Sequence, residues 1–172
     1  MTNPMTQPKE QGSGAENRAI EKMKSGANWF YWIAGLSVVN SVIALVGGGW
    51  AFIIGLGFTQ VVDAIALSGY ENPSDATFGV LAVAFLFNLI IAGIFAAFGY
   101  FANKEQKWAF ITGMAIYAVD GVLFIIVLDF LSVGFHAFAL YSIYKGFSSL
   151  QILERLKSEA MMAKAGMVKS IG

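Results

Sequence analysis

The sequence predicts an all-α integral membrane protein, a helical bundle of four spanning helices plus one re-entrant or interfacial helix. Three observations carry that expectation. Apolar residues make up 57% of the 172-residue chain and charged residues only 13%, about half the charged fraction usual in a soluble domain. The apolar residues fall in long runs separated by short polar connectors. All 11 Lys and Arg residues are confined to three stretches. A soluble core of this size needs a charged surface that this chain lacks, so a soluble globular enzyme is excluded and disorder is confined to the ends.

Residues 1–25, rich in Gln, Glu, Lys, Ser and Gly, form a flexible polar tail with a short helix expected from Glu16 to Lys24. The first 25 residues are polar, so no cleavable signal peptide is expected. Residues 26–152 form the transmembrane domain. From Asn28 to Ser68 the only charge is Asp63, and Gly47, Gly48 and Gly49 divide the run into segment A (Asn28 to Val46) and segment B (Trp50 to Ser68). Pro73 and its polar neighbours make a loop, with Ser74 or Asp75 as a helix cap. Segment C runs from Phe78 to Ala102. The connector Asn103-Lys104-Glu105-Gln106-Lys107 precedes segment D, Trp108 to Leu128. Segment E starts near Asp129, expected to cap it, and runs to about Leu150. It continues into Gln151–Lys157 along the membrane surface. Residues 153–172 are assigned to a cytoplasmic tail.

A span needs roughly 20 apolar residues at 1.5 Å each to cross about 30 Å of hydrocarbon. Segment B is the weakest, since it contains Gly55, Gly57, Thr59, Gln60 and Asp63. The basic stretches are the N-terminal tail, the C–D connector and the C-terminal end, from Lys145 onward. Basic stretches prefer the cytoplasmic side. Placing all three there requires an even number of crossings between tail and connector, so B should not cross. The alternative is five full spans, with a duplicated helical hairpin: A–B overlays D–E at an offset near 80, which sets Asn40 on Asp120. With B not crossing, Trp29, Tyr31, Trp32, Tyr100, Trp108 and Tyr144 form one aromatic belt at the cytoplasmic interface.

The chemistry-bearing residues are few. The chain has no Cys and one His, so there is no disulfide, thiolate nucleophile, multi-His metal site or bis-His haem. Hydrolase, metalloprotease, Walker and dinucleotide motifs are absent. The net charge of zero argues against a nucleic-acid partner. No cofactor is expected. The expected partners are the lipid bilayer and a second copy or a larger membrane complex.

What remains are polar side chains inside apolar segments, each costly at membrane depth. Asp120 in D and His136 in E lie at similar distances from the D–E turn. They are expected at matching depth, near the midplane, as a hydrogen-bonded pair. Such a pair is either structural or a proton or cation relay. The structural version expects Asp120→Asn to be tolerated; the transport version expects it to abolish movement and spare the fold. Asn40 and Asn88 are mid-segment amides suited to bridging helices. Gln60 and Asp63 share one face of B. Gly93 and Ala97 in C, as also Ala92 and Ala96, Ser37 and Ser41 in A, and Ser142 and Gly146 in E have the small-xxx-small spacing of close helix contacts.

Around Asn28-Trp29-Phe30-Tyr31-Trp32-Ile33-Ala34-Gly35-Leu36-Ser37, Gly55 to Ala64, Trp108-Ala109-Phe110 through Asp120-Gly121, and Phe135 to Leu140, the chain resembles a group of uncharacterised small bacterial multi-pass integral membrane proteins. The resemblance covers about Asn28 to Leu150. It implies a bacterial plasma (inner) membrane and brings no activity, ligand or partner. The residues themselves favour a non-catalytic scaffold or accessory subunit of a membrane complex, with a small transporter or channel using Asp120 and His136 as the alternative.

Overall fold

The computed structural model describes residues 7–45, 56–69 and 78–171. These residues are helical apart from short turns, with no strand among them. Five helices follow in order: α1 (Gln7–Leu45), α2 (Gly57–Leu67), α3 (Phe78–Asn103), α4 (Lys107–Ile126) and α5 (Phe130–Ile171). The expected breaks at Gly47–Gly49 and the caps at Ser74 and Asp75 lie outside the described residues.

Four helices are long and one is short. Segment A is part of a 39-residue helix that begins at Gln7, so the expected short helix at 16–24 is continuous with it and residues 7–25 are not a flexible tail. Ala19 and Met23 are buried, which explains the extension: α1 has a partner there, in α5, whose Leu150 and Leu153 are buried in the same core. Likewise α5 runs for 42 residues without a break. Helices α3 and α4 are long and apolar enough to cross a membrane. They are the two described helices that meet both criteria. Segment B yields the 11-residue helix α2, about 17 Å long at 1.5 Å per residue. It does not mimic α5, as a duplicated hairpin would require.

Side-chain contacts fix the register. Asn28 meets Asn103 and Ser41 meets Asn88, so α1 and α3 are antiparallel. Gly26 faces Gly146 and Trp29 packs edge-on to Phe138, so α1 and α5 are antiparallel too. Phe98 against Trp108 and Phe95 against Tyr117 set α4 antiparallel to α3. Ser37 reaches Leu56, and Ser41 reaches Asp63. Helix α2 therefore runs in the same direction as α1 and starts part-way along it. The core lies between α1, α3, α4 and α5, built on Phe30, Ile33, Phe95, Phe110, Tyr117 and Ile143.

Two tight turns join the antiparallel pairs. Glu105 (φ 63°) and Leu128 (φ 59°) both take the left-handed conformation, usually left to glycine at a helix C-terminus. Each turn closes with the same backbone bond across five residues, Gln106 N–H to Phe101 O at 3.1 Å and Asp129 N–H to Phe124 O at 2.9 Å. Asp129 then caps α5 as expected. Its carboxylate accepts from the Ser132 N–H at 3.1 Å and hydroxyl at 2.6 Å.

The small-residue expectations divide. Gly26 and Gly146 form the tight α1–α5 crossing; a Cβ on Gly26 would stand 2.5 Å from Gly146 Cα. Gly93 and Ala97 are exposed, and nothing lies within 4 Å of a Cβ built on Gly93. Of the two expected pairs on α3, Ala92 and Ala96 lie on the face that meets the core, beside buried Phe95, Gly99 and Ala102, and Gly93 and Ala97 do not. Large aromatic side chains, which small-residue spacing ignores, chose the buried stripe.

Candidate functional site: a buried polar seam along helix α2

Helix α2 begins at Gly57 with Leu56 at its N-cap position, and no side-chain cap bond forms there. A helix start leaves backbone N–H groups without partners and carries partial positive charge. Inside an apolar bundle that deficit needs a polar group from elsewhere. Asp120 of α4 supplies it. Gly57 N–H donates to Asp120 Oδ2 and Phe58 N–H to Oδ1, both at 2.8 Å. Leu56 N–H donates to Ser37 Oγ at 2.8 Å, and Ser37 donates on to Ile33 O. The lone acid of α4 thus caps a helix more than sixty residues away in sequence.

His136 completes the first cluster, as its spacing from the α4–α5 turn predicts. Its Nε2 lies 3.0 Å from Asp120 Oδ2 and its Nδ1 lies 2.9 Å from Ser132 O. A carbonyl only accepts, so Nδ1 carries a proton. Nε2 is left to face Oδ2. Asp120 thus meets two backbone N–H donors and the imidazole with its two oxygens. Asp120 is 0% exposed and His136 2%, so both are sealed from bulk solvent. Tyr117 stacks on the imidazole, with centroids 4.4 Å apart and planes 16° apart. Its buried hydroxyl has no hydrogen-bond partner among the described residues. Two glycines make the close packing possible. A Cβ at Gly57 would meet Phe124 at 2.7 Å, and one at Gly121 would press on the His136 ring at 3.2 Å.

The second cluster lies along α2. Asp63 accepts from Ser41 Oγ at 3.0 Å and from Asn88 Nδ2 at 2.6 Å. The same Asn88 nitrogen approaches Ser41 Oγ at 2.8 Å and Thr59 O at 3.4 Å. Thr59 Oγ1 donates to Leu56 O. Asn88 therefore joins α3 to both α1 and α2, the bridging expected of a mid-segment amide.

The structure brings the six singled-out residues together unequally. Asp120 and His136 form one cluster, and Asp63 and Asn88 the other. Gln60 is half-buried one turn before Asp63 and does not enter either. Asn40 is buried. Ser37 and Ser41, expected as small packing residues, act through their hydroxyls. Gly57, Tyr117, Gly121 and Ser132 carried no distinguishing sequence signal. Asp120's helix-capping role was foreshadowed by two complementary deficits: a helix start without a capping side chain, and an acid without a basic neighbour. No group of three or more His, Cys, Asp or Glu side chains able to hold a metal ion exists among the described residues. No family model, curated protein or solved structure matches the chain.

Proposed function

We propose that this chain is a polytopic protein of a bacterial plasma (inner) membrane that acts without catalysis, as a scaffold or accessory subunit of a membrane complex. In this reading α1, α3, α4 and α5 cross the bilayer and α2 is re-entrant, entering from the outer side. Both termini are cytoplasmic. Support for the membrane setting comes from the exposed faces of α3 and α4. Only 22% and 39% of their most apolar windows are buried, whereas the core helix of a soluble protein hides most of its apolar surface.

The observation that carries the non-catalytic reading is the saturation of Asp120. Both of its oxygens are occupied by protein donors, and no solvent reaches it. A group built to move protons or ions needs a path to water; a group built to hold three helices together does not. Proteoliposomes containing the purified protein should show no more proton or cation leak than empty ones, and the protein should co-purify from native membranes with a stoichiometric partner or a second copy. A flux that Asp120→Asn abolishes without loss of fold would overturn this reading. It would establish the second one, a small transporter, which the direct contact between Asp120 and His136 favours.

A further inference from the structure

The end of the bundle where α4 begins carries a polar cleft of about 340 Å³. It is lined by Lys107 of α4 and by Gln151, Glu154, Arg155 and Ser158 of α5. Its charges are not balanced. Glu154, the one acid in the lining, is paired with Lys107. Arg155 has no ion-pair partner among the described residues, so the lining keeps one positive charge that the protein leaves unanswered. A guanidinium presents its donors in a planar fork that matches two oxygens of a phosphate. The Gln151 amide and the Ser158 hydroxyl donate to the same kind of acceptor, and an ammonium with three hydrogens lets Lys107 keep Glu154 and meet a second anion.

The surface that continues from the cleft is apolar. Lys107 and Ile111 are four apart on one face of α4. Arg155, Gln151 and Tyr144 follow one face of α5 at spacings of four and seven. Ile111 and Tyr144 are both more than half exposed, so the polar cleft passes into an open apolar surface. The level along the bundle matches the edge of a bilayer. Phe110 meets Phe147 across the α4–α5 contact, and Arg155 stands about 12 Å of helix beyond Phe147. Exposed Trp108 lies between these levels, where amphipathic rings favour the membrane–water interface. A ligand that fits both halves has an anionic head and an apolar tail.

We propose that this cleft binds the phosphate headgroup of an anionic phospholipid, phosphatidylglycerol being the probe. Arg155 and Lys107 meet the phosphate oxygens, and the acyl chains lie along Ile111 and Tyr144. Basic pockets between spanning helices on the cytoplasmic side suit such headgroups, where attraction to the anionic leaflet adds to the local contacts. The site rests on the reading of α4 and α5 as spanning helices and goes beyond it, because the bound lipid ties the extension of α5 to the start of α4.

The test uses the full chain in a neutral detergent. Phosphatidylglycerol added to the micelles should raise the melting temperature saturably, by about 3–6 °C at ten times the half-saturating amount. Zwitterionic phosphatidylcholine should not. Sodium phosphate, compared with sodium chloride at constant ionic strength, separates a lipid headgroup from a free anion and should give no shift. Arg155→Gln should melt like the wild type without lipid, since Arg155 has no ion-pair partner to lose. It should raise the half-saturating amount of phosphatidylglycerol about tenfold. Equal responses to the two lipids would overturn the proposal, as would a phosphatidylglycerol response that Arg155→Gln leaves unchanged. A shift in sodium phosphate as large as the lipid's would overturn it in favour of a soluble anion. A chain that stays folded and soluble without detergent would overturn the membrane reading itself, and that outcome is scored before any lipid is added.

Discussion

Asp120 shows how a substitution that looks conservative depends on the direction of hydrogen bonds. An amide has the shape of a carboxylate, and from sequence Asp120→Asn is expected to be tolerated if the residue is structural. The structure reverses that expectation, since every protein group facing Asp120 either donates or shares a proton with it. An amide nitrogen in either position would confront the N–H of Gly57 or Phe58. One buried donor left without an acceptor costs about 1–3 kcal/mol. Asp120→Asn should therefore lower stability by about that amount in chemical or thermal unfolding in detergent, and Asp120→Leu, which strands both N–H groups and His136, by more. A result in which Asp120→Asn melts like the wild type would mean that α2 does not depend on this cap. Just past the C-terminus of α4, the Ser132 hydroxyl and N–H hold the Asp129 carboxyl below its ordinary value of 3.8. A depressed carboxyl contributes stability above its unfolded-state value, and that contribution is lost as pH falls through the lower folded value. The melting temperature of Asp129→Ala should lie below that of the wild type near neutral pH. The gap should narrow below about pH 4; a gap constant down to pH 2 would remove Asp129 from the cap.

At the scale of elements, the crossing of α1 and α5 depends on two backbones touching. Gly26→Leu cannot fit where even a Cβ would approach Gly146 Cα to 2.5 Å, and overpacking of this kind costs about 1–3 kcal/mol or more. Gly93→Leu has open space around it and should leave the melting temperature of the monomer unchanged. The two variants melted side by side check the assignment of faces, and equal effects would refute it. The α4–α5 turn offers a gain. Leu128 is 68% exposed and holds a positive φ, a conformation costing a residue with a Cβ about 1–2 kcal/mol. Leu128→Gly relieves that cost and returns part of it as chain entropy in the unfolded state, so a net stabilisation of about 0.5–1 kcal/mol is expected from denaturant titration. A bulky residue fits there because its side chain faces outward and meets no neighbour in the bundle.

Across the whole molecule, the described basic residues gather at one end of the bundle. Lys157 pairs with Glu105 at 2.7 Å, and Lys107 pairs with Glu154, tying the extension of α5 to the α3–α4 connector. Lys104 lies over the Tyr100 ring and Lys145 near the Tyr141 ring. Trp29, Trp108 and Tyr144 sit in the same region, by the contacts that join α1 to α5 and α3 to α4. If this end is cytoplasmic, single cysteines placed after Lys24, at Gln106 and after Lys157 should all resist a membrane-impermeant thiol reagent in intact cells and react after lysis. Labelling of the last site from outside would replace the proposed topology with five spans. The tie itself is worth little: half-exposed ion pairs contribute about 0–1 kcal/mol each, and a double-mutant cycle on Lys157 and Glu105 should fall in that range.

The sequence by itself determined the helical class, the long apolar runs and their connectors, the weakness of segment B, and the pairing of Asp120 with His136. These follow from local quantities: length of run, residue type, and distance from a shared turn. It also marked Asn88 as a bridge. The tertiary structure alone decided what those residues touch. The direction of α2, the capping of its N-terminus by Asp120, and the gathering of Ser41, Asp63, Thr59 and Asn88 all depend on where a short helix docks among three long ones. The outward face of Gly93 and the helical continuity of residues 7–25 depend on packing in the same way. A hydropathy pattern records which side chains avoid water. It does not record which neighbour answers an unpaired N–H, because that neighbour is fixed by contacts between segments distant in the chain.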